Sequence, residues 1–211
     1  MKLDLNKPLI YLITPGDAVI GNFDSKRRQI LDVVRLAVKI GVPLIQIREK
    51  QLSAKALYSL TKDVVSLARG TRTRIFVNDR SDIAVAAGAY GVHLTSSSIP
   101  VNIVRKNFSK DLMVGISTHT IDEIRTAADE GADFAVFGPI FATPGKDALV
   151  GLDLLSEACR ENEKLPVFGL GGIDRTNYAE VLAAGAAGFA AIRCLNQPEE
   201  LRRIAEEINE R

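Results

Sequence analysis

The 211-residue chain is 46% hydrophobic and 25% charged, a balance that suits one compact soluble domain with a substantial core. Lys and Arg number 27 against 26 acidic residues, so the net charge of +1 supplies no long-range field for recruiting nucleic acid or an anionic membrane, and any anion binding must be local. Cys159 and Cys194 have no CxxC or metal-ligand spacing and read as structural thiols; no apolar run approaches membrane-spanning length, and a cytoplasmic location is the expectation.

In chain order, short β-rich apolar runs recur at 8-PLIYLITP, 43-PLIQIR, 74-RIFVND, 91-GVHL, 112-LMVGIS, 134-FAVFGPI, 166-PVFGLGG and 189-FAAIRC. Between them lie segments with helical apolar spacing, such as 26-KRRQILDVVRLAVKIG, 54-AKALYSLTKDVVSLAR, 120-TIDEIRTAADEG and 174-DRTNYAEVLAAG. Several of these close on a glycine just before the next strand, at Gly41, Gly88, Gly131 and Gly185, the expected helix C-terminus and tight turn. Unbroken β/α alternation requires a parallel sheet, and eight such units predict an α/β (β/α)8 TIM barrel, a single domain over residues 1–211. The rival doubly wound dinucleotide fold lacks its G-x-G-x-x-G after the first strand, where 14-TPGD stands instead.

Such barrels build their sites from strand carboxyl ends and the loops beyond them. Those positions hold Thr14, then Gln46, Arg48 and Lys50, then Asn78 and Asp79, His93, Ser117 and His119, the loop 141-FATPGK-146, the run 169-GLGG-172, and Arg193. In 44-LIQIREK the amide and two cations alternate, which puts them on one face of an extended chain. They call for an anionic ligand, the structural alternative being ion pairs with Glu49 or with acids on neighbouring strands. Asp79 precedes 80-RSDIAVAAG and also reads as a helix N-cap, while His93 reads as pocket lining. Thr120 and Glu123 form a T-x-x-E capping box that accounts for its helix without His119, which is left either for proton transfer or for a solvated loop. The glycines at 169, 171 and 172 lead towards a helix beginning at Asp174 and offer N–H groups to a phosphate. Lys146, in a Thr/Pro/Gly loop, is placed to close over an anion or to stand exposed. The layout fits a small phosphorylated substrate, with a diphosphate and Mg²⁺ in the first cationic region.

The stretches 46-QIREK, 78-NDR, 91-GVHL, 115-GISTHT, 138-GPIFATPGK and 171-GGI followed by 184-AGAAGFA stand in the order and spacing of the thiamine phosphate synthase family. The chain resembles that family over nearly its whole length. The resemblance implies that phosphorylated pyrimidine and thiazole substrates bind, with Gln46 lining the pyrimidine pocket and Arg48, Lys50, Asn78 and Lys146 holding a diphosphate. By the same resemblance Asp79 ligates Mg²⁺, Ser117 lies near the reacting groups, Thr143 and Gly171 contact substrate, and Gly172 receives the thiazole phosphate. Three positions depart from the family pattern: Ser98 stands where the second acidic metal ligand is expected, Gly145 replaces a threonine, and Arg193 replaces a serine after the eighth strand. A related tautomerase uses the histidine matching His119 to isomerise a thiazole carboxylate phosphate, and a non-catalytic thiazole phosphate binding protein is a third reading. A homodimer would be unsurprising for a small barrel.

Overall fold

The structure, a computed structural model, describes residues 3–143, 145, 149–162 and 164–210. Its strands are β1 Leu9–Ile13, β2 Leu44–Ile47, β3 Arg74–Asn78, β4 Gly91–Leu94, β5 Met113–Thr118, β6 Phe134–Phe137, β7 Val167–Leu170 and β8 Gly188–Ala191. They alternate with α1 Phe23–Lys39, α2 Ala54–Ala68, α3 Ser81–Ala87, α4 Val101–Asn107, α5 Ile121–Asp129, α6 Gly151–Glu161, α7 Tyr178–Ala183 and α8 Pro198–Asn209. Each strand pairs in parallel with the next and β8 pairs with β1, closing the expected (β/α)8 barrel. The four interstrand glycines, 41, 88, 131 and 185, have φ between 72° and 94°, the left-handed turn that ends a helix.

One expected boundary moves. The segment from Asp174 is not yet helical, because Asp174 Oδ1 accepts the Thr176 N–H at 2.8 Å and Asn177 Oδ1 accepts the Asp174 N–H at 2.9 Å. These side chains bond the backbone locally around a single turn, in which the Asp174 carbonyl accepts the Tyr178 N–H at 3.0 Å, and α7 starts only at Tyr178.

Alternate strand residues pack either against the helices or into the barrel. The interior cluster is Leu9, Tyr11, Ile13, Leu44, Phe76, Met113, Phe134, Val136, Phe168 and Ala190. Its rings meet edge-on or tilted, with Phe76 to Phe134 at 5.4 Å, Tyr11 to Phe134 at 5.6 Å and Phe134 to Phe168 at 5.3 Å between centroids. Each such pair contributes about 1 kcal/mol beyond burial. Glycines in the barrel wall make room for these rings: a Cβ on Gly91 would lie 2.4 Å from Phe76, and one on Gly115 would lie 2.3 Å from Phe134. Aromatic side chains thus plug the barrel beneath a cavity at the carboxyl ends of the strands. No described helix is long and apolar enough to cross a membrane.

Candidate active site

A cavity of about 390 Å³ opens at that end. Gln46, Arg48, Lys50, Asn78, His93, Ser117, His119, Thr143, Gly171, Gly172 and Arg193 all line it, so the strand-end residues converge as expected. Lys146 lies outside the described residues, and Asp79 is not part of the lining. No aspartate or glutamate lines the cavity among the described residues.

The end of β2 sets the cationic side. Period-two alternation turns Gln46, Arg48 and Lys50 towards the cavity and Glu49 away from it. Glu49 is 2% exposed, and its carboxylate accepts the Gly16 N–H at 3.0 Å and the Ala18 N–H at 2.9 Å. The Glu49–Arg48 ion pair is therefore not formed. Among the described residues Arg48, Lys50 and Arg193 take part in no ion pair.

Beneath the cations runs a buried polar chain. Gln46 Nε2 donates to the Tyr11 hydroxyl at 3.0 Å, Tyr11 lies 3.3 Å from His93 Nδ1, and His93 Nε2 lies 3.0 Å from Ser117 Oγ. Tyr11 is fully buried and already accepts from Gln46, so its own proton goes to His93 Nδ1. The imidazole then carries its proton on Nε2 and donates it to Ser117. Burial first, and the Arg48 charge second, push the His93 pKa down to about 3, keeping the ring neutral as this chain requires. Gln46 Oε1 and the Ser117 proton remain for a ligand.

His119 stands exposed at the rim. Its Nδ1 donates to the Gly138 carbonyl at 2.5 Å, which leaves Nε2 of the neutral ring as an acceptor. The capping box beside it is offset by one residue: Thr120 Oγ1 accepts the Glu123 N–H at 3.2 Å, but the Glu123 carboxylate accepts the His119 main-chain N–H. His119 is thus part of the cap, contrary to the sequence expectation, and its backbone is fixed by it.

Asp79 does not cap α3. Arg80 occupies the N-cap position without a side-chain cap, and Asp79, at φ 68°, is the one described non-glycine residue with a left-handed backbone. Its N–H donates to the His93 carbonyl at 2.9 Å, and its carboxylate accepts the Ser98 hydroxyl. Across the cavity, Gly171 and Gly172 have φ of 104° and 64°, and a Cβ on either would lie within 2.7 Å of backbone atoms of Pro139 or Ala142. Among the described residues, their N–H groups have no backbone acceptor.

A family model described as thiamine monophosphate synthase matches residues 10–195. The chain belongs to the thiamine monophosphate synthase family. A Geobacter sulfurreducens relative is 40% identical over 189 residues, covering 88% of this chain and 85% of its own length. The thiamine-phosphate synthase of Clostridium botulinum strain 657 is 36% identical over 202 residues, covering 94% of this chain and 95% of the other. Among solved structures, the thiamine phosphate pyrophosphorylase of Pyrococcus furiosus superposes with a TM-score of 0.82 at 30% identity, covering 98% of this chain and 96% of that one.

The synthase family is generally associated with Mg²⁺. The donor set here is of the right kind, a carboxylate with the Thr95 and Ser98 hydroxyls, but it holds a single acid, and no group of three His, Cys, Asp or Glu residues is assembled among the described residues. It fits Mg²⁺ only where phosphate oxygens and water complete the shell. Sequence reasoning missed Tyr11, which joins Gln46 to His93, and the hydroxyl loop Thr95, Ser96 and Ser97, which lines the cavity. Tyr11 sits in an apolar strand run, and only closure of β1 onto β2 gives its hydroxyl a partner.

Proposed function

We propose that the protein is a thiamine-phosphate synthase, a transferase that joins hydroxymethylpyrimidine diphosphate to thiazole phosphate and releases pyrophosphate. The observation that carries this reading is a cavity lined by Arg48, Lys50 and Arg193, with no carboxylate among its described residues, above the polar chain that ends at Gln46 and Ser117. Gln46 Oε1 and the Ser117 hydroxyl address the pyrimidine edge. Arg48, Lys50, Asn78 and Lys146 hold the diphosphate, with Asp79 as its metal ligand. Gly171, Gly172, Thr143 and Arg193 receive the thiazole phosphate, the first two through N–H groups.

In this reading the bond between the pyrimidine methylene carbon and the diphosphate oxygen breaks with its electron pair leaving on pyrophosphate. The thiazole nitrogen lone pair then forms the new C–N bond to the cationic carbon. When bound, Mg²⁺ supplies charge neutralisation to the departing diphosphate. The chain's own part is positioning and electrostatics: Arg48 and Lys50 stabilise the leaving charge, the cavity walls align the two rings, and neutral His93 orients Ser117 without exchanging a proton with substrate. Purified protein given both substrates and Mg²⁺ is expected to form thiamine phosphate, and Asp79→Ala to abolish it.

One observation favours a second reading. The free Nε2 of His119 at the cavity rim suits proton transfer, as thiazole carboxylate isomerisation requires. No synthase product, together with an isomerase activity that disappears in His119→Ala, would replace the first reading with the tautomerase; ligand binding with neither turnover would leave a binding protein.

A further inference from the structure

We infer that this chain takes up its divalent cation only together with a diphosphate, and that Ser98 is the positioning residue that holds the single carboxylate of Asp79 ready for that complex. The inference rests on the synthase reading and refines how its metal is bound.

Asp79 is held from both sides. A left-handed backbone is costly for a residue other than glycine and persists only where the surroundings fix it. Here the Asp79 N–H donates to the His93 carbonyl at 2.9 Å, while the carboxylate accepts the Ser98 hydroxyl. Ser98 is itself fixed, its Oγ accepting the Thr95 N–H at 2.7 Å and its own N–H donating to the Thr95 carbonyl at 3.0 Å. The turn thus commits the Ser98 proton to Asp79 and holds one exposed carboxylate beside Thr95, which lines the cavity.

Two considerations keep a bare cation out. Mg²⁺ needs six oxygens in a near-octahedral shell, and one carboxylate already sharing an oxygen with a hydroxyl provides too few. Arg48 and Lys50, without ion-pair partners among the described residues, line the cavity that Asn78 and Thr95 join to Asp79 and Ser98, and their charge disfavours a lone dication there. A diphosphate reverses both terms, since it neutralises the two side chains and brings its own oxygens. Metal and diphosphate are then coupled ligands, each raising the affinity of the other by the same factor.

Equilibrium dialysis with Mn²⁺ as the probe, with and without inorganic pyrophosphate, tests this on the intact protein. Protein-retained Mn²⁺ is expected to rise at least about tenfold when pyrophosphate is present, the usual scale for coupled ligands. Ser98→Asp, which supplies a second carboxylate, is expected to retain Mn²⁺ without pyrophosphate. Ser98→Ala is expected to lose retention in the ternary complex, and Ser98→Thr to keep it, with melting temperatures recorded to exclude misfolding. Retention of about one Mn²⁺ per chain by the wild type without pyrophosphate would overturn the inference. So would a Ser98→Ala protein that retains the ternary metal like wild type. Pyrophosphate that binds alongside prior metal binding overturns this inference alone, whereas pyrophosphate that binds under neither condition overturns the synthase reading as well.

Discussion

The Thr14 hydroxyl accepts the Arg48 main-chain N–H at 2.8 Å, and Glu49, next in the chain, fixes the same β1–α1 loop through the Gly16 and Ala18 N–H groups. Neighbouring residues of one strand end thus divide the work: the buried glutamate secures the loop, while Arg48, with no ion-pair partner among the described residues, is left for a ligand. Because the backbone is fixed independently of the guanidinium, replacing that side chain should affect binding and not folding. Arg48→Lys keeps the charge but loses the planar fork suited to phosphate, and Arg48→Ala loses both. Steady-state kinetics should show kcat/KM for the pyrimidine diphosphate falling by roughly tenfold and by a hundredfold or more respectively, each charge-assisted bond being worth about 1.5–3 kcal/mol. A melting temperature lowered as much as by a core truncation would contradict the division.

Tyr11→Phe tests the polar floor. Removing the hydroxyl leaves Gln46 Nε2 and His93 Nδ1 without their buried partner, at a cost of about 1–3 kcal/mol. It also frees the Gln46 amide to turn. The expected outcome is lower thermal stability together with a raised KM for the pyrimidine substrate and an unchanged KM for the thiazole phosphate. Equal changes in both constants would argue against a pyrimidine-specific role for the chain.

His93 gives a pH signature. Burial and Arg48 hold its folded pKa at about 3, while an unfolded histidine titrates near 6.5. Below pH 6.5 the unfolded chain binds a proton that the folded chain refuses, so stability falls as pH drops towards 3. Between pH 7 and pH 5 this group alone costs about 2 kcal/mol. Urea titrations at those two values should show the loss in wild type and a correspondingly smaller one in His93→Gln. Identical losses would mean that His93 is not the neutral buried group described.

The barrel was legible because its signals are local and repeated: β-rich runs, helical spacing, and a glycine at the end of several helices. Strand-end candidates followed from period-two alternation alone, which is why Gln46, Arg48 and Ser117 share a cavity. What escaped depends on closure. Tyr11 and His93 are 82 residues apart, and nothing in 8-PLIYLITP distinguishes a ring that bonds histidine from one that only fills space. The cap expected at Asp79 failed for a related reason: Ser98, 19 residues downstream, competes for the same carboxylate. The Thr120–Glu123 motif was visible, but its one-residue offset onto His119 depends on backbone geometry that spacing does not encode.

Gly172→Ala separates backbone strain from ligand binding at the glycine turn proposed to receive the thiazole phosphate. Alanine at φ 64° costs roughly 1–2 kcal/mol wherever it occurs. At this position the new Cβ would also lie 2.7 Å from the Ala142 carbonyl oxygen and 2.8 Å from Phe141 Cβ, so the loop after β6 must move and carry the Gly171 and Gly172 N–H groups off their aim. Gly41 is the control, because its φ of 79° imposes comparable strain with nothing within 4 Å of the added methyl and it stands outside the cavity lining. Both variants should melt at lower temperature than wild type. Only Gly172→Ala should raise KM for the thiazole phosphate, by about tenfold for one lost charge-assisted contact, with the pyrimidine KM little changed. Equal thiazole KM values in the two variants would mean that the turn is structural and that the phosphate is bound elsewhere.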